Sequence, residues 1–206
     1  YTTSHPRDLD DATIDAMALG GNIMPHLHLP VQSGSDTVLK KMNRKYTKEE
    51  YMDKINKLKT KIPNISLTTD IIVAFPGETE EDFQKTIELV KEVGYAGAYT
   101  FIYSPREGTP ASKYPNPLTE EEKHQRLEAL NEVVNEYALK AHKEYENKIV
   151  EVLVEGPSKN NDKILTGYTP QNMLVNFEGD NIKVGDLVKV KINKAYSWHL
   201  FGELLK

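Results

Sequence analysis

The stretch from Thr68 to Phe83 constrains the fold of this chain more than any other. It opens with an apolar run that contains Ile71, Ile72 and Val73, stops at Pro76-Gly77, and continues with apolar residues at helical spacing. This order predicts a strand, a tight loop and a helix that ends near Gly94. Successive apolar residues are typical of a strand covered on both faces, as in a parallel sheet, where ligands bind at the carboxyl ends of the strands.

Asp70 is the one charged residue within this apolar run. An ionised carboxylate inside a buried strand is costly unless another group pairs with it. Two interpretations are open for Asp70. Either the carboxylate caps a loop amide at the end of the strand, or it contacts a ligand.

Strand-like and helix-like segments alternate through residues 1–146. Strand-like runs at residues 26–32 and 97–103 accompany the central strand, and helical patterns lie between them. Two capping boxes, Thr47 with Glu50 and Thr119 with Glu122, predict where two of the helices begin. Alternating strands and helices require parallel crossovers and therefore predict an α/β sheet or barrel. Few strands are predicted, so the sheet looks incomplete.

The pattern changes after Asn147, where strand-like runs follow one another without a helix. Turn signals separate five such runs, at residues 148–155, 164–169, 173–177, 187–196 and 199–205. Five short strands of this kind predict a small antiparallel barrel of the OB type, a fold that commonly binds nucleic acid. We therefore predict an α/β domain at residues 1–146 and a β-barrel domain at residues 147–206.

The composition is that of an ordinary soluble globular protein, with 38% apolar and 28% charged residues in 206. No apolar run approaches the roughly 18 residues of a membrane span, and no signal pattern opens the chain, so we expect a cytoplasmic protein. Residues 1–144 hold 18 basic and 23 acidic residues, whereas residues 145–206 hold 8 of each. A neutral second domain can still carry a basic face. The absence of cysteine excludes disulfides and thiolate metal sites within these residues.

His26 and His28 are two residues apart in the first predicted strand, which places both imidazoles on one face. Barrel metallohydrolases use this arrangement to bind a metal ion. Such a site would need further ligands at other strand ends, whereas His124, His142 and His199 lie on the long helix or in the small barrel. A metallohydrolase is therefore an alternative rather than the main interpretation.

Gln32, Arg44 and Asp70 form a candidate small-molecule site. Gln32 lies at a predicted strand end, and Arg44 follows a short helix that folds back toward it. Together with Asp70 they would supply a guanidinium for a carboxylate, an amide for orientation and an acceptor for an amine or a ribose hydroxyl. Their order at successive strand ends favours a binding site over three unrelated surface residues.

In the small barrel, Lys189, Lys191 and Lys194 lie on one predicted strand, and Trp198 follows it. Strand alternation places Lys189 and Lys191 on one face while the intervening apolar residues point inward. Lysines beside exposed aromatic rings suit phosphate neutralisation and base stacking in RNA. The alternative is a solvated strand face with Trp198 in the core.

Five motifs are long and occur in a fixed order, namely Tyr1-Thr2-Thr3-Ser4-His5-Pro6, His28-Leu29-Pro30-Val31-Gln32-Ser33-Gly34-Ser35-Asp36, Met42-Asn43-Arg44, Asp70 to Thr79, and Gly108-Thr109-Pro110-Ala111. Through them the chain closely resembles the radical S-adenosylmethionine methylthiotransferases over essentially all 206 residues. Residues 147–206 resemble the TRAM domain of these enzymes. Within that domain, Leu153-Val154-Glu155-Gly156 and Val175-Asn176-Phe177 favour the MiaB-type tRNA enzymes over the relatives that modify a ribosomal protein.

The resemblance implies conversion of N6-isopentenyladenosine at position 37 of tRNA, in the anticodon stem-loop, to its 2-methylthio derivative. In the family, one 4Fe-4S cluster cleaves S-adenosylmethionine to a radical and a second serves as the sulfur source. The resemblance also implies that Gln32, Arg44 and Asp70 contact S-adenosylmethionine, with Ser33 and Tyr103 as further candidates. Ala74 stands where a glycine is commoner in the family.

One departure concerns the iron–sulfur clusters. The cluster-binding cysteines of the family lie upstream of the Tyr-Thr-Thr-Ser-His-Pro motif, and this chain has no cysteine. We therefore expect a C-terminal fragment, with part of the radical barrel and the TRAM domain, that binds neither cluster and is inactive alone. An open sheet edge would favour self-association. A stand-alone RNA-binding module, with the α/β part as scaffold, is the alternative function.

Overall fold

The computed structural model describes residues 5–158 and 161–205, apart from the side chains of residues 162 and 163. The predicted strand end at Tyr1-Thr2-Thr3-Ser4 lies outside the described residues. No helix in the described part of the chain is both long enough and apolar enough to cross a membrane.

The first part of the chain is a three-stranded parallel sheet with helices packed against it. In chain order its elements are α1 (Asp11–Ala18), β1 (His26–His28), α2 (Asp36–Lys41), α3 (Lys48–Lys61), β2 (Ser66–Val73), α4 (Glu80–Val93), β3 (Gly97–Ile102), a 3-10 turn (Pro110–Lys113) and α5 (Glu120–Lys143). The strand order is β1-β2-β3, and both neighbouring pairs are parallel. The predicted α/β class is confirmed, and both predicted capping boxes begin a helix.

β1 is shorter than the predicted strand, which ran from residue 26 to residue 32. Leu29 still donates its amide to the Thr68 carbonyl, but Pro30 has no amide hydrogen to continue the ladder. The Val31 amide donates to the Thr69 hydroxyl at 2.9 Å instead. Pairing with β2 resumes only at Gln32, which forms an isolated bridge with Ile71. Proline thus ends the regular strand early while the chain stays beside β2.

The two faces of β2 differ. Leu67, Thr69, Ile71 and Val73 are buried against the helices, whereas the side chains of Thr68, Asp70 and Ile72 are only half-buried. The sequence predicts a strand covered on both faces, and this part of the prediction is wrong within the described residues. Three strands cannot close a barrel, so the face that carries Asp70 remains open beside the exposed rings of Tyr99 and Phe101 on β3.

Within residues 149–158 and 161–205, five strands form a closed barrel. Its strands are β4 (Ile149–Ser158), β5 (Asn161–Tyr168), β6 (Leu174–Glu178), β7 (Leu187–Ala195) and β8 (Leu200–Leu204), in the closed order β4-β5-β6-β8-β7. The predicted barrel is confirmed, but it is mixed rather than wholly antiparallel because β8 lies between β6 and β7 and runs parallel to β6. Alternate residues such as Val152, Phe177 and Val190 fill its core.

α5 connects the two parts of the structure. It ends at Lys143 and β4 begins at Ile149, so the predicted boundary after residue 146 falls in the short connection between them. The Glu146 carboxylate accepts a hydrogen bond from the Ala195 amide at 2.9 Å, and the Asn147 amide donates to the Ile192 carbonyl at 2.8 Å. Both bonds tie the end of the helical segment to β7.

Candidate cofactor and nucleic-acid sites

Asp70 lies on the open face of β2 and pairs with an imidazole from β1. The His28 Nε2 atom lies 3.2 Å from the Asp70 carboxylate, and the His28 Nδ1 atom lies 3.0 Å from the Thr68 hydroxyl. The side chains of His28 and Asp70 are 16% and 31% exposed, so Asp70 still faces the open side of the sheet. The contact is with a ring on the next strand rather than with a loop amide.

The two histidines proposed as metal ligands share Thr68. The His26 Nε2 atom lies 3.3 Å from the Thr68 hydroxyl that also contacts His28. The pKa of His26 is lowered, mainly because burial disfavours its charged form and also because His28 lies nearby. Within residues 5–158 and 161–205, no group of three or more histidine or acidic side chains is placed to hold a metal ion. The two rings are thus linked through the Thr68 hydroxyl, and His28 in turn contacts Asp70.

Gln32 is joined to Asp70 through the backbone. Its amide donates to the Asp70 carbonyl at 2.9 Å, and its carbonyl accepts from the Ile72 amide at 2.9 Å. Gln32 adopts a φ of 71°, a left-handed conformation that is uncommon for a residue other than glycine. Strained residues of this kind persist only where the surrounding structure holds them in place, and they are found preferentially at binding sites. The structure thus brings two of the three predicted residues together.

Ser33 follows Gln32 and is fully buried against α4. Its hydroxyl lies 3.3 Å from the Thr86 hydroxyl and accepts a hydrogen bond from the Ser35 amide at 3.2 Å. The Ser33 hydroxyl thus helps to hold the segment between β1 and α2 against α4. The geometry therefore gives the predicted ligand contact of Ser33 no support, and this contact stays a prediction.

Arg44 contacts His5 rather than Gln32 or Asp70. Its Nη1 atom lies 3.1 Å from the His5 Nε2 atom. The pKa of His5 is lowered, chiefly by burial and then by the positive charge of Arg44. His5 belongs to a sequence motif that had no assigned role, so the pairing of Arg44 with it is a contact that sequence reasoning missed.

Tyr103 lies just beyond the carboxyl end of β3. Its amide donates to the Val73 carbonyl at 2.9 Å, and its ring packs edge-on against Phe75 with the ring centroids 4.8 Å apart. The buried Tyr103 hydroxyl has no hydrogen-bond partner among the described residues. Because a buried hydroxyl is costly without a partner, this atom offers a hydrogen bond to a bound molecule.

The loop after β2 is held by an ion pair that sequence reasoning missed. The Glu78 carboxylate accepts a hydrogen bond from the Ala74 amide at 2.7 Å and one from Arg126 on α5 at 2.8 Å. Burial raises the pKa of Glu78, although the bonds from Ala74 and Arg126 oppose that rise. Ala74 has a φ of 57°, the conformation that favours glycine.

A signal for this pair was present in α5. The sequence predicts an apolar face of Leu127, Leu130, Val134, Tyr137 and Ala141. The buried residues are Arg126, Leu130, Val134, Ala138 and His142, at intervals of four. A charged residue in register with a buried stripe indicates a buried ion pair, because an unpaired buried charge is costly. The prediction is confirmed at Leu130 and Val134, whereas the other three predicted residues each lie one position away from a buried one.

The outer face of the barrel carries the predicted lysines. Lys189 and Lys191 are exposed while Val190 and Ile192 are buried, as strand alternation predicts. Lys189 lies opposite Glu151 on β4, and Lys191 lies opposite Glu203 on β8. These acidic neighbours reduce the positive potential of the face, so the two lysines do not form a strongly basic patch.

Aromatic rings cluster at the turn between β7 and β8, which we call the aromatic turn (residues 196–199). The Lys194 ammonium lies 4.9 Å from the centre of the Tyr196 ring, and the His199 ring stacks on Tyr196 with the centroids 4.5 Å apart. Trp198 is 55% exposed rather than part of the core. Proteins that bind single-stranded nucleic acid combine aromatic rings, on which bases stack, with positively charged side chains. Tyr196 and His199 were not among the predicted RNA-binding residues.

Comparison with known proteins places this geometry in a family. The family model for the radical SAM superfamily matches residues 1–90, and the model for the TRAM domain matches residues 143–205. A tRNA-2-methylthio-N(6)-dimethylallyladenosine synthase of Bacillus licheniformis is 57% identical over 205 residues, and that of Bacillus subtilis is 56% identical over 205 residues. Both alignments cover 100% of this chain. The chain belongs to the radical S-adenosylmethionine methylthiotransferase family.

The chain spans 40% of the length of these two curated methylthiotransferases. Among solved structures, coproporphyrinogen III oxidase (HemN) of Escherichia coli, described as a radical SAM enzyme, matches with a TM-score of 0.56 and 15% identity. That match covers 82% of this chain and 46% of the other chain. At this identity the likeness concerns the fold alone.

The side chains fit one of the two cofactor types that this methylthiotransferase family implies. A half-exposed carboxylate at Asp70 and an unpartnered hydroxyl at Tyr103 suit the polar groups of S-adenosylmethionine. Iron–sulfur clusters need thiolate ligands, and the 206 residues contain no cysteine. Cluster ligands therefore do not come from this part of the sequence.

Proposed function

We propose that the protein containing these residues converts N6-isopentenyladenosine at position 37 of tRNA to its 2-methylthio derivative. The observation that carries this proposal is the combination, in one chain, of Asp70 on the open face of β2 and Gln32 just beyond β1, joined by a backbone hydrogen bond, with a barrel that bears an exposed aromatic turn. The identity of the chain to synthases of this name extends along its whole length and supports both halves of the proposal.

Four side chains would hold S-adenosylmethionine, which supplies the radical when a cluster cleaves it. Asp70 would accept a hydrogen bond from the amine or from a ribose hydroxyl, while His28 keeps the carboxylate in place. Arg44 would pair with the carboxylate of the cofactor, and Gln32 would orient it. Tyr103 would donate its unpartnered hydroxyl, and Ser33 would act by holding the loop.

The clusters would be bound by cysteines outside these 206 residues, so we expect no turnover by this part alone. The substrate places the reaction in the cytoplasm, where tRNA is modified. For the isolated 206-residue chain we also propose self-association, because β1 pairs only with β2 among the described residues and leaves an open edge.

Calorimetric titration of S-adenosylmethionine into the full-length, cluster-reconstituted protein tests the cofactor site. We expect Asp70→Ala and Arg44→Ala each to weaken binding by about tenfold or more, because hydrogen bonds to charged groups contribute about 1.5 to 3 kcal/mol. Asp53→Ala serves as a matched control, since Asp53 is exposed on α3. Wild-type affinity in both test variants would remove these residues from the site.

Binding of tRNA tests the role of the barrel. We expect Trp198→Ala to weaken tRNA binding by about tenfold, because stacking of one base contributes about 1 to 3 kcal/mol, and Trp198→Phe to restore part of it. Leu187→Ala is the control, because Leu187 is an equally exposed apolar residue of the same barrel. Tight tRNA binding without any response to S-adenosylmethionine would instead favour the stand-alone RNA-binding module.

A further inference from the structure

Residues 38–48 contain five basic residues and no acidic one, within a chain whose net charge is −5. We propose that Lys40, Lys41 and Lys45, which we call the basic edge, bind the phosphate backbone of the tRNA substrate. This surface is separate from the barrel and supplies a second point of contact. The inference rests on the proposed function, because it takes tRNA as the partner.

The position of the basic edge follows from its contacts. The Lys41 ammonium donates to the Gly77 carbonyl at 2.8 Å, in the loop that follows β2. The Tyr46 hydroxyl donates to the Val31 carbonyl at 3.0 Å, just beyond the carboxyl end of β1. These two bonds place the basic edge beside the carboxyl ends of β1 and β2, next to the segment that contains Gln32.

The charges of the basic edge are available to a ligand. Lys40 and Lys45 are exposed, and neither forms an ion pair with any residue that the structure describes. Two carboxylates that flank the basic edge in the sequence accept backbone bonds: Asp36 accepts from the Lys48 amide at 2.6 Å, and Glu50 accepts from the Thr47 amide at 2.8 Å.

Lysines at the other end of α3 behave differently. Lys57 pairs with Asp11 at 2.7 Å, and Lys61 pairs with Asp15 on the same helix, α1. Among the described residues, Lys40 on α2 and Lys45 before α3 have no ion pair, whereas Lys57 and Lys61 toward the end of α3 are each paired with a carboxylate of α1.

The partner follows from the chemistry of the reaction. A nucleotide that reacts with a radical generated at the strand ends has to enter at this side, so its flanking phosphates lie next to the basic edge. Lysine offers a compact charge on a flexible stem, which neutralises phosphates without reading base sequence. The basic edge therefore contributes affinity and orientation, while the aromatic turn stacks on bases elsewhere on the tRNA.

The test measures tRNA binding by the full-length protein at several salt concentrations. We expect Lys40→Gln/Lys45→Gln to weaken binding about tenfold at low salt and to reduce the slope of log affinity against log salt by roughly 1.4 to 1.8, the value for two lost phosphate contacts. The control Lys57→Gln/Lys61→Gln removes two positive charges from the far end of α3. It should leave tRNA affinity and the salt slope near the wild-type values. S-adenosylmethionine affinity should not change in either variant.

Each other outcome overturns the inference. If Lys40→Gln/Lys45→Gln binds tRNA as tightly as the wild type while Trp198→Ala binds it more weakly, the role of the basic edge is refuted and the proposed function stands. Equal losses in both lysine pairs would assign the effect to net charge alone. Absence of tRNA binding by the wild-type protein would refute the inference together with the proposed function.

Discussion

Replacement of Arg126 by alanine is expected to lower the free energy of unfolding by about 3 to 5 kcal/mol. The Arg126 and Glu78 side chains are only 10% and 1% exposed, so the variant leaves an uncompensated carboxylate in the interior. The same change also removes the bond from Arg126 to the Glu78 carbonyl, at 3.1 Å, in the loop that follows β2. Urea denaturation followed by circular dichroism measures the effect.

The pH dependence of this variant has a definite direction. Burial raises the pKa of Glu78 above its unfolded value, and loss of the guanidinium removes a group that opposes that rise. The folded variant therefore binds more protons than the unfolded one between the two pKa values, so the variant regains stability as the pH falls through the raised pKa. The defect should be largest at neutral pH and smaller in acid.

Two companion variants separate the ion pair from simple loss of packing. Arg126→Met/Glu78→Gln removes both charges and should recover much of the stability that Arg126→Ala loses, because no buried charge remains. Lys140→Ala, which breaks the exposed pair with Glu136, should change stability little. A cost below about 1 kcal/mol for Arg126→Ala would contradict the assigned role of the pair.

Replacement of Gly34 by alanine is expected to destabilise the protein by about 3 kcal/mol, at the upper end of the usual cost of overpacking. A Cβ atom at Gly34 would lie 2.4 Å from the Lys85 carbonyl oxygen and 2.7 Å from the Thr86 Cα atom, both in the backbone of α4. Since neither atom can rotate away, α4 and the loop have to separate.

The Gly34→Ala variant should also lose cofactor affinity. Separation would break the bond from the Gly34 amide to the Thr86 hydroxyl, 2.9 Å long, and the bond from Ser35 to Asp82, 2.6 Å long. These bonds position the loop that contains Gln32. Because these two bonds are lost, we expect the full-length variant to bind S-adenosylmethionine about tenfold more weakly. Calorimetric titration measures this change.

Gly97→Ala is the matched control for this effect. A Cβ atom at Gly97 would meet only the Thr68 Cγ2 atom, at 3.8 Å, an ordinary contact distance. We therefore expect Gly97→Ala to have the free energy of unfolding and the S-adenosylmethionine affinity of the wild type. A Gly34→Ala protein that matched this control in both measurements would show that the loop tolerates displacement from α4.

The sequence by itself determined the order of the elements and the family. The run through Ile71 and Val73 with Pro76-Gly77 behind it predicted β2, its loop and α4, because β-branched runs, turn residues and helical periodicity are local signals. The capping boxes at Thr47 and Thr119 begin α3 and α5 for the same reason. Alternation along β7 likewise predicted which of its residues face the barrel core.

Only the tertiary structure decided which groups meet across elements. The pairing of Asp70 with His28, of Arg44 with His5 and of Glu78 with Arg126 joins residues from different segments, and no local pattern specifies such contacts. The parallel neighbours β6 and β8 are a further case, because strand order in a barrel depends on how the connections cross its ends. The chemistry of the site is thus encoded in the residue types, while their partners follow from packing between segments distant in sequence.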